Sequence, residues 1–207
     1  MNLYDRDKNV FKHSPADRLK CLFIQPQFSA SNYWNYVPTA KLIDAHTPAP
    51  PLGLLTVAAI LPQHWEFKLI DLNVRPVEEA EFEWADLICV GGMLPQQTGI
   101  LDVIEDAQSR GKFVVVGGAD PSSQPHLYSH ADTLIVGEAE NTIPMWISSW
   151  NSGEPRGTFK AKERPDITSS PVPRYDLIDY KNYVYLGVQF SRGCPFNCEF
   201  CDIIELY

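Results

Sequence analysis

The sequence is short of positive charge: 17 Lys and Arg stand against 26 Asp and Glu, a formal net charge of −9. So acidic a chain has no electrostatic handle for nucleic acid or for an anionic membrane surface. Apolar runs of membrane-spanning length are missing too. The opening residues, MNLYDRDKNVFKHSPADRLK, lack the apolar core of a secretory signal. Cysteine is scarce and odd in number, five in all, and three of the five fall within residues 194–201. A disulfide framework would scatter paired cysteines along the chain; clustering points instead to a metal in a reducing compartment. A cytoplasmic protein is the expectation. With 207 residues, 44% of them hydrophobic, the chain can bury one good core and a small appendage, but not two full enzyme domains.

What is present is an alternation of strand and helix patterns. Short apolar runs at Lys20–Gln25, Glu66–Leu72, Asp86–Val90, Lys112–Val116 and Thr133–Val136 read as five strands. Residues 51–61, 98–109 and 141–150 carry helical spacing. Apolar strands separated by helices imply a parallel sheet covered on both faces. Right-handed crossovers then give a doubly wound, flavodoxin-like α/β fold of five strands in the order 2-1-3-4-5. Ligands bind such sheets beyond the carboxyl ends of the strands, which here carry Gln25-Pro26, Asp71-Leu72-Asn73, Gly91-Gly92, Gly117-Gly118 and Gly137-Glu138. Glycines there let a bulky ligand approach the backbone, since no Cβ intervenes.

The domain plan follows: an extension over 1–19, the α/β domain over 20–150, a Pro-, Gly- and charge-rich linker over 151–182, and a new strand from Tyr183 to Phe190 leading into the cysteines. Residues 27–50, with Tyr33, Trp34 and Tyr36, make an unusually long connection, read as a lid over the ligand, with an irregular insertion as the alternative. Cys21 and Cys89 sit inside apolar strands and read as inert core. Trp65 and Trp84 read as core or edge residues.

Cys194, Cys198 and Cys201 follow the spacing C-x3-C-x2-C within SRGCPFNCEFC. A ferredoxin surrounds its four irons with four thiolates at other spacings. Three thiolates on one loop leave one iron free to hold a substrate or a cofactor. Zinc is the alternative, with Asp202 or a distant His as fourth ligand, but structural zinc sites usually pair two C-x2-C units and only one is present.

The run QFSRGCPFNCEFCDI resembles the cluster loop of radical S-adenosylmethionine (AdoMet, SAM) enzymes. Pro50–Leu55, Leu69–Asn73, Val115–Pro121 and Val136–Glu140 resemble the cobalamin (B12)-binding domain that precedes that loop in one class of them. The likeness covers residues 20–207 and is nearest to the subgroup of the hopanoid C-2 methylases. It implies that Cys194, Cys198 and Cys201 hold a [4Fe–4S] cluster, that the open iron takes AdoMet, and that Phe200 lies near its adenine. It implies cobalamin over Gly53, Gly91, Gly92, Gly117, Gly118, Gly137 and Glu138, with Asp71 and Asn73 on corrin amides or the nucleotide tail. A strand-end turn is the alternative for Asp71 and Asn73, and a favourable helix dipole for Glu138 and Glu140.

The implied activity is methyl transfer to an unactivated carbon through a 5′-deoxyadenosyl radical and methylcobalamin. The substrate would be a small molecule, lipids and isoprenoids among the candidates, and an external one-electron reductant would be needed. An oxidative cyclase acting on a tetrapyrrole and a non-catalytic cobalamin module are the alternatives. A receiver domain is disfavoured, because Gln25-Pro26 and Gly91-Gly92 stand where its acidic residues belong. Two departures stand out. Asp-x-His-x-x-Gly, which supplies a cobalt ligand in methionine-synthase-like domains, is absent after Gln25, and His46 lacks that pattern; cobalt without a histidine ligand is expected. The sequence also stops at Tyr207, so the barrel expected to hold AdoMet and substrate is truncated and the chain alone is expected to be inactive.

Overall fold

The structure, a computed structural model, describes residues 17–30, 32 and 35–207, together with residue 14 and the backbone of 4–5 and 10–11. Tyr33 and Trp34 of the expected lid lie outside the described residues. The strands are β1 (Lys20–Gln25), β2 (Glu66–Asp71), β3 (Leu87–Gly91), β4 (Phe113–Gly117), β5 (Thr133–Val136) and β6 (Gly157–Lys160). They form one parallel sheet in the order β2-β1-β3-β4-β5-β6. The expected 2-1-3-4-5 order holds, and a sixth strand extends it.

That sixth strand lies in the stretch read as linker. Its sequence, Gly-Thr-Phe-Lys, is exposed except for Phe159, which packs on the core. An edge strand buries little, so no apolar run announces it. It pairs with β5 from Thr133↔Gly157 to Val136↔Lys160. Conversely, Tyr183–Phe190 forms no strand. Its alternating pattern meets only a single bridge, Thr47↔Tyr183, because no neighbouring strand lies beside it among the described residues.

Two-residue periodicity divides the core. Cys21, Phe23, Leu87, Cys89, Phe113, Val115 and Ile135 face one way, against helices α1 (Leu52–Ile60) and α5 (Ala139–Asn151). Leu22, Ile24, Ile88, Val90, Val114, Val116, Leu134 and Val136 face the other, against α2 (Glu79–Trp84) and α3 (Gln97–Ser109). Each such side chain contributes roughly 1.5–3 kcal/mol when fully buried. Trp65, Trp146 and Trp150 stack on the first face with ring centroids 5.2–6.5 Å apart. Trp84 sits at the edge, beneath the ammonium of Lys68 at 4.4 Å.

Helix α2 was invisible as a pattern because it is short and acidic. It is held at its start by a reciprocal cap between Glu78 and Glu81 and by Arg75, whose guanidinium lies 2.6 Å from Glu81. Those bonds keep the Glu81 carboxyl below the usual range. A short helix, α4 (Ala119–Ser123), follows β4, and α6 (Ile203–Leu206) follows the cysteines. Among the described residues no helix is long and apolar enough to cross a membrane.

Candidate functional site: a cavity at the carboxyl edge and an exposed cysteine loop

Between the carboxyl ends of β3, β4 and β5 and the helices α1 and α5 lies a cavity of about 440 Å³. Its floor is apolar, made by Leu54, Cys89, Val115, Ile135 and Ile143 of the first core face. Its rim is Gly53, Gly91, Gly92, Gly117, Gly118 and Gly137. Its mouth is polar, with Gln25, Glu138, Glu140, Gln189 and Arg192. A separate groove of about 720 Å³, lined by Phe28, Leu94, Asp102 and Asp106 among others, contains none of the rim glycines from the strand ends.

The rim glycines divide into two kinds. A Cβ on Gly91 would stand 2.6 Å from the Gly117 carbonyl oxygen, and one on Gly118, at φ +104°, would stand 2.9 Å from the Gly92 backbone. These positions are glycine because neighbouring strand ends crowd one another. At Gly53 and Gly137 a Cβ would meet nothing within 4 Å. Those two leave open space, and Gly53 does so on the helix wall of the cavity.

Of the residues expected at the ligand, Gly53, the strand-end glycines and Glu138 are brought together. Asp71 and Asn73 are not; neither lines the cavity. Asp71 is buried, and its Oδ1 accepts from the Asn73 backbone N–H at 2.9 Å and from Asn73 Nδ2 at 2.6 Å. Asn73 Oδ1 in turn accepts from the Phe28 N–H at 2.9 Å. This is a strand-end turn that ties down the loop after β1. Tyr183 Oη donates to Asp71 Oδ2 at 3.3 Å. Burial pushes the Asp71 carboxyl up and the Tyr183 phenol up.

Glu138 and Glu140 face the cavity but are not free to bind it. Arg192 Nη1 donates to Glu138 Oε1 and to Glu140 Oε2, both at 2.9 Å, and Nη2 donates to Glu140 Oε1. Burial alone would raise the Glu140 carboxyl; bonds from Arg192 and Ser170 bring it below the usual range. Arg192, Gln189, Tyr185 and Cys89 are among the lining residues that sequence reasoning missed. Fifty-two residues separate Arg192 from Glu140, and no local pattern pairs them. Cys89 does pack as core, with its sulfur 3.4 Å from that of Cys21, but it also floors the cavity.

Cys194 and Cys198 are exposed and Cys201 is partly exposed; none is in a disulfide. The Cys201 N–H donates to the Cys198 carbonyl at 3.1 Å, closing a turn. The three thiols are not drawn together: among the described residues no three His, Cys, Asp or Glu are gathered to hold a metal ion. The aromatic side chains of the loop are unpacked, with Phe190, Phe196 and Phe200 97%, 70% and 92% exposed. Phe200 lines neither the cavity nor the separate groove. Asp202 is engaged by Ser123 Oγ. His46 is exposed, outside both cavity linings, and its N–H donates to the Asn182 carbonyl at 2.9 Å. The donor set has the chemistry for a thiolate-ligated cluster, three accessible thiols on one loop.

Comparison with known proteins agrees with this architecture. The chain is 46% identical over 191 residues to an uncharacterized methyltransferase of Synechocystis sp., covering 91% of this chain and 35% of the relative. It is 33% identical over 194 residues to a hopanoid C-2 methylase of Rhodopseudomonas palustris, covering 92% and 36%. It is 25% identical over 187 residues to an anaerobic magnesium-protoporphyrin IX monomethyl ester cyclase of Synechocystis sp., covering 73% and 38%. The chain thus spans little more than a third of the length of these relatives. Residues 39–145, more than half of the chain and most of the sheet with its cavity, match the family described as the B12 binding domain, and the chain belongs to that family.

Proposed function

We propose that this chain holds cobalamin in the cavity at the carboxyl edge of its sheet and a [4Fe–4S] cluster at Cys194, Cys198 and Cys201, within a cytoplasmic radical AdoMet methyltransferase. The observation that carries the reading is the cavity itself: an apolar floor between α1 and α5, a glycine rim, and open space at Gly53 and Gly137. That combination suits a large ligand with an apolar part to bury and amide groups to leave at the mouth.

The chain's own residues supply binding and orientation. The floor of Leu54, Val115, Ile135 and Ile143 excludes water from whatever enters. No histidine lines the cavity, so no imidazole of the described residues is placed to reach a bound metal there. Three thiolates at Cys194, Cys198 and Cys201 would leave one iron without a protein ligand, the place for AdoMet. When bound, cobalamin supplies a methyl carrier and the cluster supplies one electron to the AdoMet sulfonium, which calls for an external reductant. The names of the relatives favour methyl transfer to a small molecule, and the hopanoid methylase favours a lipid or isoprenoid. The cyclase among the relatives supports a second reading, the same cofactors used on a tetrapyrrole without methyl transfer.

The test is direct. Anaerobic reconstitution with iron and sulfide should give a brown protein whose charge-transfer absorption disappears in Cys198→Ala. Stoichiometric zinc bound at these thiols in place of iron would overturn the cluster assignment. Hydroxocobalamin should stay with the protein through desalting.

A further inference from the structure

We propose that Arg192 is a positioning residue: through Glu138 and Glu140 it clamps the segment leading to the cysteines onto the rim of the cavity, so that cavity and cysteine loop are ordered together. The coupling rests on the reading of both as cofactor sites; the clamp does not.

The geometry is that of a fork. One guanidinium occupies both oxygens of Glu140 and one oxygen of Glu138, and Arg192 Nε donates to Gln189 Oε1 at 2.8 Å. Ser170 Oγ adds a bond to Glu140 Oε1 at 2.6 Å. The side chains of Arg192, Glu138 and Glu140 are only 13%, 7% and 6% exposed, so water screens the group little. Planar bidentate pairing fixes direction as well as distance. Two carboxylates face one cation, and removing that cation would leave two like charges side by side in a site poor in water.

Its anchors are rigid. Glu138 follows Gly137 at the end of β5, and Glu140 lies in the first turn of α5. Arg192 precedes Cys194 by two residues, so the Cys194 Cα stays within about 7 Å of the Arg192 Cα. Gly193, at φ +79°, makes the bend between them. A second pin lies at the other end of the segment, where Tyr183 donates to Asp71 and the Val184 N–H donates to the Thr47 carbonyl at 3.1 Å. Residues 183–192 are thereby tied at both ends, and Tyr185 and Gln189 line the cavity between the ties.

All three charged partners also line the cavity, so a ligand that fills it touches the clamp. If occupancy favours the clamped arrangement, linkage requires that the clamp tighten the ligand by the same factor. Order at the cysteines then follows occupancy of the cavity.

Hydrogen-exchange mass spectrometry on the 207-residue chain tests this, reading the Val184 and Tyr185 amides, which donate to the Thr47 and Pro48 carbonyls, against strand Phe113–Gly117 as a folding control. Arg192→Gln, by untying the far end of the segment, should speed exchange of these two amides by about ten- to hundredfold with the control strand unchanged. The double variant Glu138→Gln, Glu140→Gln should match it, and Arg192→Lys should fall between, since a single ammonium cannot fork. Added hydroxocobalamin should slow exchange of the two amides in the native chain and leave Arg192→Gln unprotected, which an Arg of purely structural role would not do. Unaltered exchange of Val184 and Tyr185 in Arg192→Gln would overturn the clamp. Equal corrin-induced protection in native and Arg192→Gln chains would overturn the coupling. Should Arg192→Gln unfold, the Lys variant decides, and native-like exchange there overturns the fork. If the native chain retains no corrin, the cofactor reading fails and the ligand-free comparison still decides the clamp.

Discussion

Gly91 and Gly117, on adjacent parallel strands, approach so closely that a Cβ on Gly91 would lie 2.6 Å from the Gly117 carbonyl oxygen. The partner is backbone, which cannot swing aside as a flexible side chain can. Gly91→Ala should therefore destabilise the fold by about 1–3 kcal/mol. Thermal unfolding should show it, at about 2–4 °C per kcal/mol for a chain of this size. Gly53→Ala, facing open space within α1, should instead be neutral or stabilising by up to about 1 kcal/mol.

Tyr128 is fully buried and its hydroxyl donates to Asp120 Oδ2. Burial, then the hydrogen bond and charge of Asp120, raise its phenol above the ordinary value of 10.0. The folded state thus favours the protonated phenol. Its contribution is fully present below about pH 10, where the unfolded chain begins to ionise, and is lost as pH rises toward the folded value. Urea unfolding should show stability falling above about pH 10, and Tyr128→Phe should flatten that fall while lowering stability at neutral pH by about 1–3 kcal/mol.

Thiol accessibility divides the five cysteines. Cys194, Cys198 and Cys201 are open to solvent in different degree, whereas Cys21 and Cys89 are buried against each other. Burial, and then the bond to Cys89, push the Cys21 thiol well up, which suppresses the reactive thiolate. Titration of the metal-free, reduced chain with an aromatic disulfide reagent should count three fast thiols, with the remaining two appearing only in denaturant. Five fast thiols would contradict the buried pair.

Four of the five expected strands were legible as apolar runs ended by glycine or by Gln-Pro, and Phe113–Gly117, as FVVVG, carries both signals; Glu66–Asp71 was legible by its alternation instead. The cavity rim was legible for the same reason, since those ends converge in any doubly wound sheet. What escaped has physical causes. Gly157–Lys160 buries almost nothing, and Glu79–Trp84 is held by caps and an ion pair more than by an apolar stripe. Tyr183–Phe190 alternates like a strand, yet alternation describes faces and does not supply a neighbour to pair with. The glycines do line the cavity, but Gly91 and Gly118 are there for their own neighbours' backbones. Arg192 could not be matched to Glu138 and Glu140 without the fold, because the pairing depends on where the chain returns.

The central claim is that the cavity between α1 and α5 holds a corrinoid, and one measurement tests it most directly. The chain is mixed with hydroxocobalamin, desalted, and its retained corrin read from visible absorption, beside Gly53→Phe. Gly53 lines the cavity on its helix wall, and a Cβ there meets nothing within 4 Å, so a side chain can start from it without crowding the backbone. The account predicts near-stoichiometric corrin on the native chain and a loss of at least about tenfold in affinity on the variant, with unfolding curves that stay close together. A native chain that emerges without corrin, or a variant that keeps as much as the native one, would contradict it.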